Sequence, residues 1–157
     1  MSVKSQGTEL FFVNTETSSS DDFVKLACPT GISGLGGAAD QIDVTCLDAT
    51  EDRSYVRGLG NPGQVSAPFI LKPAEASHQV LFDLKEAGNV LPWIICLSDG
   101  TAQPTVSQGA FVAPSGRTSL AFEAYVSDVS IEIATNEVVR GTLTLQRSGV
   151  VTPTWKS

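Results

Sequence analysis

Short apolar runs alternate with polar positions along most of this chain, and a period of two marks half-buried strands. Thr8 to Val13 (TELFFV) reads as a first strand. Phe23 to Cys28 (FVKLAC) reads as a second, with Val24, Leu26 and Cys28 on one face. Between them, Asn14 to Asp22 is polar and serine-rich and reads as a loop. Gln41 to Leu47 (QIDVTCL) places Ile42, Val44 and Cys46 inward and Asp43 and Thr45 outward. Gln64 to Leu71 is a strand whose Pro68 assigns it to an edge or a bulge, because proline has no N–H for a ladder. Leu91 to Ser98 (LPWIICLS) is a buried strand that ends at an Asp99-Gly100 turn, and Phe111 to Ala113 ends another before the turn at Pro114 to Gly116.

Arg117 to Thr135 is a long β stretch whose phase changes. Leu120, Phe122, Ala124 and Val126 fall on even numbers, whereas Val129, Ile131 and Ile133 fall on odd ones. Keeping both sets on one face requires a bulge or bend near Ser127-Asp128. Glu137 to Gln146 alternates again, with Val139, Leu143 and Leu145 inward, and Val150 to Trp155 forms a short last strand. A helical period appears over Pro73 to Ala87, where Ala76, Val80, Leu81, Leu84 and Ala87 make an apolar stripe. Pro73 suits the first helical position and Gly88 supplies the stop. The expected fold is mainly β: a sandwich or barrel of seven to nine mostly antiparallel strands with one flanking α-helix. Residues 1–157 form a single domain, with a flexible N-terminus over 1–7.

Asp48 to Gly63 (DATEDRSYVRGLGNPG) does not alternate cleanly and ends in an Asn-Pro-Gly turn signal. It is long for a loop in a compact domain, and such loops tend to be functional. Its apolar Tyr55, Val56 and Leu59 are too few to bury themselves.

Composition sharpens this picture. Charged residues are 17% of the chain and hydrophobic ones 41%. An average soluble domain is about 25% charged. Part of the surface is therefore less polar than usual, as surfaces covered by a partner often are. Ten Lys+Arg against seventeen Asp+Glu give a net charge of −7, and the basic residues form no run, which disfavours tight binding to nucleic acid. The three cysteines, Cys28, Cys46 and Cys96, lie in apolar or β-branched stretches without short spacing, so they read as buried free thiols rather than a disulfide framework or zinc site. The opening MSVKSQGTEL has no apolar core of a secretory signal, and no stretch approaches the length of a membrane span.

Candidate chemistry is sparse. His78, the one histidine, lies beside the helix stripe with Glu75 and Asp83 at poor helical offsets, and reads as a surface histidine. Gly31 to Gly37 (GISGLGG) is not followed by the lysine and helix of a phosphate loop. Asp40, Asp43, Asp48, Glu51 and Asp52 lack calcium-loop spacing and read as a solvated acidic face.

Three stretches, in order, carry a resemblance. They are Thr30 to Asp48 (TGISGLGGAADQIDVTCLD), Tyr55 to Gly63 (YVRGLGNPG) and Leu97 to Gly100 (LSDG). With the opening Val3 to Leu10 (VKSQGTEL) and the central helix between strands, they resemble the tail tube (major tail) proteins of long-tailed, non-contractile bacteriophages. The similarity covers roughly residues 3 to 100. It implies a β-sandwich with a flanking helix, six copies per ring, and rings stacked into a tube that carries DNA into the host. It implies no enzyme activity and no cofactor. The implied partners are sister copies and other tail proteins (tape measure, terminator, tail tip), with no membrane, in a virion tail assembled in the bacterial cytoplasm.

The residues fit such a role. Open sheet edges and the 48–63 loop offer contacts between subunits, with Asp48, Glu51, Asp52, Arg53 and Arg57 as charged groups and Tyr55 and Leu59 as apolar anchors. Asp43, Glu123 and Glu132, on outward sides of expected strands, are the candidate acids of a DNA-repelling lumen. Two other readings remain: a different phage or secretion ring protein, such as a tail terminator or decoration protein, or a carbohydrate-binding module using Trp155.

Overall fold

The computed structural model describes residues 2–13 and 23–157. The polar stretch 14–22, read as a loop, lies outside the described residues. In chain order the elements are β1 (Glu9–Val13), β2 (Phe23–Lys25), β3 (Ala39–Asp43), β4 (Tyr55–Gly60), β5 (Gln64–Ile70), α1 (Ala76–Ala87), β6 (Leu91–Cys96), β7 (Thr105–Ser107), β8 (Ala110–Val112), β9 (Ser119–Glu132) and β10 (Arg140–Thr154). Six strands form an antiparallel sheet in the order β2-β1-β6-β9-β10-β5, and β3-β4 and β7-β8 form separate two-stranded ribbons.

The large sheet closes on itself. After β2, the Leu26 N–H donates to the Leu10 carbonyl, and the chain then crosses to the opposite edge. There the Ile70 N–H donates to the Cys28 carbonyl, Thr30 donates to Pro68, and Ser33 and Ser66 exchange both bonds. One continuous segment thus joins β1 to β5, and the result is a barrel. Pro68 occupies the edge position its chemistry requires. Its carbonyl is turned toward Thr30, so its missing N–H falls on the same, sparsely paired side.

Inward-facing side chains of alternate positions fill the barrel: Leu10 and Phe12, Val65 and Ala67, Trp93 and Ile95, Phe122 and Ala124, Leu143 and Leu145. Leu81 and Leu84 of α1 complete this core. A smaller cluster lies on the opposite face of β1 and β6, where Phe11, Ile94 and Cys96 are covered by Phe23 and by Phe111 of β8. Its rings meet edge to face, at 5.6 Å for Phe11–Phe23 and 6.1 Å for Phe23–Phe111.

The expected bulge is present. Val126 pairs with Leu145 and Asp128 with Thr144, so Ser127 is the extra residue. It swings Val129 back to the buried side that Val126 occupies. Ile131 and Ile133 run past the end of the core and are exposed. Val150 to Trp155, read as a separate strand, belongs as far as Thr154 to β10, through a second irregularity between Ser148 and Thr152.

Several expectations need correction. The helix starts at Ala76, not Pro73, because the chain first makes a tight turn in which the Glu75 N–H donates to the Lys72 carbonyl. Its buried face is Ser77, His78, Leu81 and Leu84, whereas Ala76 and Ala87 are exposed. Gly88 ends it as expected, in the left-handed conformation with φ 67°. His78 is not a surface residue but is 1% exposed. Its Nδ1 accepts the Lys72 N–H at 3.0 Å, so Nε2 carries the proton and donates to the Ala27 carbonyl at 2.7 Å. The ring lies 4.6 Å from that of Phe69. Sequence offsets on one helix cannot reveal partners some 50 positions away. Of the thiols, Cys96 is buried, Cys28 half-buried and Cys46 exposed. In the N-terminal segment the Lys4 carbonyl accepts the Ser98 hydroxyl, and the Gly7 carbonyl accepts Arg117.

Candidate assembly surfaces

The stretch 48–63, read as a loop, contains β4, and β4 pairs with β3 as a projecting arm. Asp43 stands opposite Tyr55, Ile42 opposite Val56 and Gln41 opposite Arg57. The ladder continues toward the tip through Val44 N–H to the Ser54 carbonyl at 3.0 Å and Ser54 N–H to Thr45 Oγ1 at 2.9 Å. The two strands approach closely because position 58 is glycine; a Cβ there would stand 3.2 Å from the Asp40 carbonyl oxygen. Alternation puts Tyr55, Arg57 and Leu59 on one side of the arm and Ile42 and Val56 on the other. Neither side is covered among the described residues. Ile42, Val44 and Cys46, expected inward, are therefore exposed. Leu59 is 85% exposed and Leu47, at the tip, is fully so. Asp48, Glu51, Asp52 and Arg53 occupy the exposed turn between the strands. The seven residues assigned to the subunit contact thus share one arm.

The glycine-rich segment roots this arm on the barrel. Gly34 has φ 89°, and a Cβ there would overlap the Gln64 carbonyl oxygen. Arg147, buried at the barrel end, donates to the Gly36 carbonyl, and Asn61 N–H donates to Ala38 at 3.0 Å. These glycines serve backbone contact, not phosphate binding.

The outward face of β9 and β10 is a second surface. Leu143 and Leu145 face the core, so the alternate residues face out, and with them their cross-strand partners. Glu123 stands opposite Ser148, Tyr125 opposite Gln146, Ser130 opposite Thr142 and Glu132 opposite Arg140. The Ser127 bulge is what puts an odd-numbered and an even-numbered glutamate on one side, separated by roughly 27 Å of strand. Asp43 is not on this face but on the arm. There its carboxylate accepts the Thr45 N–H at 2.9 Å, and hydrogen bonds from Thr45 hold it below the usual carboxylate range. Asp128 pairs instead with Lys85 of α1 at 3.0 Å.

Two features escaped sequence reading. First, β6 ends at the Leu91–Ala124 pair, so β9 from Val126 onward is hydrogen-bonded only to β10 and leaves one edge unpaired among the described residues. Second, Arg117 is 1% exposed and gathers the carbonyls of Gly7, Cys96, Leu97 and Ala102 beside the Glu9 carboxylate. A buried arginine has no local signature, since each acceptor lies 15 to 110 positions away. Nearby, Asp99 accepts Thr118 N–H at 3.0 Å and its hydroxyl at 2.6 Å, which gives the Asp99-Gly100 turn a structural role. Among the described residues no group of three His, Cys, Asp or Glu is placed to hold a metal. No helix there is long and apolar enough to cross a membrane.

A closed barrel with an uncovered apolar arm and an open strand edge defines a structural subunit built to meet further copies. Over residues 1–157 the chain matches the family described as phage tail tube, TTP, lambda-like. It is 40% identical over 152 residues to Structural protein 3 of Pseudomonas phage PAJU2, covering 94% of this chain and 90% of that protein. The chain belongs to the lambda-like phage tail tube family, and it is a structural protein of the virion tail. Its fold resembles that in the SPP1 tail tube (TM-score 0.69, 10% identity, 97% of this chain and 78% of that one). It also resembles a chain of the anti-feeding prophage baseplate (TM-score 0.71, 12% identity, 98% and 96%). A third likeness is to the tail of an empty gene transfer agent particle, refined with C6 symmetry (TM-score 0.63, 15% identity, 94% and 96%).

Proposed function

We propose that six copies of this chain close into a ring, that rings stack into a hollow tube, and that the tube conducts DNA from capsid to host without catalysis or cofactor. The observation that carries this reading is the β3–β4 arm. It exposes Leu47, Tyr55, Val56 and Leu59 with no covering element among the described residues, and burial of such side chains yields about 1.5–3 kcal/mol each. Contact with sister copies is the means to that burial. The six-fold symmetry of two assemblies that hold chains of like fold supports the ring number. The unpaired β9 edge suits lateral contact, because a neighbour's backbone completes its hydrogen bonds.

The outward face of β9 and β10 suits the lumen. Ser130, Thr142, Thr144, Gln146 and Ser148 make it polar beside Tyr125 and Arg140, and Glu123 and Glu132, repeated around a ring, repel phosphates. The place of Asp43 in the tube follows from where the arm docks. Tape measure, terminator and tail-tip proteins are the further partners, with assembly in the host cytoplasm.

The test is electron microscopy of the concentrated full chain beside a variant whose arm turn, residues 45–53, is replaced by Asn-Gly. Wild type forms hollow tubes, and the variant stays folded but does not elongate. Unchanged tubes from the variant reject the arm's role. A single closed ring from wild type favours a terminator-like protein.

A further inference from the structure

One residue of the barrel wall holds both legs of the arm. Where the chain leaves for β3, the Arg147 guanidinium donates to the Gly36 carbonyl. Where it returns from β4, the Arg147 N–H donates to the Gly63 carbonyl at 3.3 Å. Glycine at position 37 leaves room for the head, since a Cβ there would stand 3.0 Å from Nη2. The wall itself is fixed at this point: Gln146 pairs with Gln64 on one side and Tyr125 on the other, and Arg147 pairs with Ala124.

This clasp is a poor source of stability. Arg147 is 5% exposed, and its Nε is buried without a hydrogen-bond partner. Among the described residues no carboxylate pairs with it. The other buried arginine, Arg117, has the Glu9 carboxylate and four carbonyls. A buried charge without a counter-charge is unfavourable, and an apolar side chain of similar length fills such a site with no loss of stability. What the guanidinium supplies is direction, because it fixes one leg of the arm to the same residue that holds the other.

We infer that Arg147 is a positioning residue for assembly: it sets the angle at which the arm leaves the barrel. This rests on the tube reading above. An arm that swings at its root gives up that freedom when a subunit is added to a polymer, and a root already set removes the loss.

Arg147→Met in the full chain tests it. In free subunits, hydrogen exchange of the root amides, such as the Asn61 N–H bonded to the Ala38 carbonyl, should quicken roughly tenfold, while β6 amides keep their rates. The urea midpoint should not fall. Sedimentation and negative-stain microscopy should show tubes only at roughly tenfold higher protein concentration. Arg147→Lys keeps one donor for the one carbonyl and should recover most of both effects. Unchanged root exchange, tubes at the wild-type concentration, or a lysine variant that behaves like methionine would overturn the inference. So would a midpoint that drops with tube growth, since Arg147 would then act through stability. In all four cases the tube reading stands. If wild type itself never forms tubes, both fall.

Discussion

Arg117 and Glu9 meet at 2.9 Å inside the fold, and the same guanidinium collects four carbonyls from three chain segments. It is the point at which the N-terminal segment, the end of β6 and the loop before β7 are held together. Arg117→Met leaves the Glu9 carboxylate and several carbonyls without a donor. The expected loss is about 3–5 kcal/mol of unfolding free energy, read by urea denaturation. Arg117→Lys recovers little, because a single ammonium cannot reproduce the planar fork.

The same pair sets an acid limit. Burial raises the Glu9 carboxyl, but bonds from Lys25 and Arg117 outweigh it and leave the group below its ordinary value of 4.5. A carboxyl depressed in the folded state binds protons more readily when unfolded. Its contribution is therefore complete above about pH 4.5 and is lost as pH falls through the lower, folded value. Stability measured from pH 6 down to pH 2 should fall less steeply in Glu9→Gln than in wild type. Parallel curves would remove Glu9 from the account.

Gly34 and Gly36, two positions apart, should behave oppositely. Gly34→Ala puts a methyl group into the Gln64 carbonyl at φ 89° and is expected to cost roughly 2–4 kcal/mol and loosen the root of the arm. A methyl group at Gly36 meets nothing within 4 Å, so Gly36→Ala should stay within about 0.5 kcal/mol. Thermal melts of the two variants decide this.

The thiols give a direct reading of arm burial. Cys46 is exposed near the arm tip, whereas desolvation pushes the Cys96 thiol up to about 11. In free subunits a maleimide should modify Cys46 rapidly and Cys96 only after unfolding. In assembled tubes Cys46 should react more slowly. Equal rates in the two forms would place the arm tip in solvent in both.

Lumen charge can be tested without disturbing assembly. Glu123→Lys inverts an exposed mid-strand position, so tubes should still form. Those tubes should retain DNA in a strongly salt-dependent way, because each added cation replaces counterions on the phosphates. DNA binding no greater than wild type would move Glu123 away from the channel.

Elements that bury one face were readable from sequence. The early part of β9 and the part of β10 around Leu143 and Leu145 declare themselves by period, and so does the bulge, because Val126 and Val129 have to reach the same core, whereas β6, buried on both faces, shows as a continuous apolar run. β4 was hidden for the opposite reason. With both faces uncovered, Tyr55 to Gly60 has no inward side to impose alternation, and its two glycines imitate a loop. The seven arm residues stand out in the sequence by the length of that segment, not by its structure. Phase puts Glu123 and Glu132 on the outward side of their strands, as the structure has them, whereas Asp43, read on the outward side of a half-buried strand, lies on a ribbon exposed on both sides. His78 and Arg117 were misjudged or missed because their partners are assembled by the fold.

The extra residue at Ser127 also bears on how the gene encoding this chain can change length. Removing that one codon would leave Val126 and Asp128 adjacent, opposite Leu145 and Thr144, so the ladder would run without a kink while Val129 and Glu132 kept their sides. A one-codon loss from a regular strand carries every later side chain to the other side; here the spare position absorbs it.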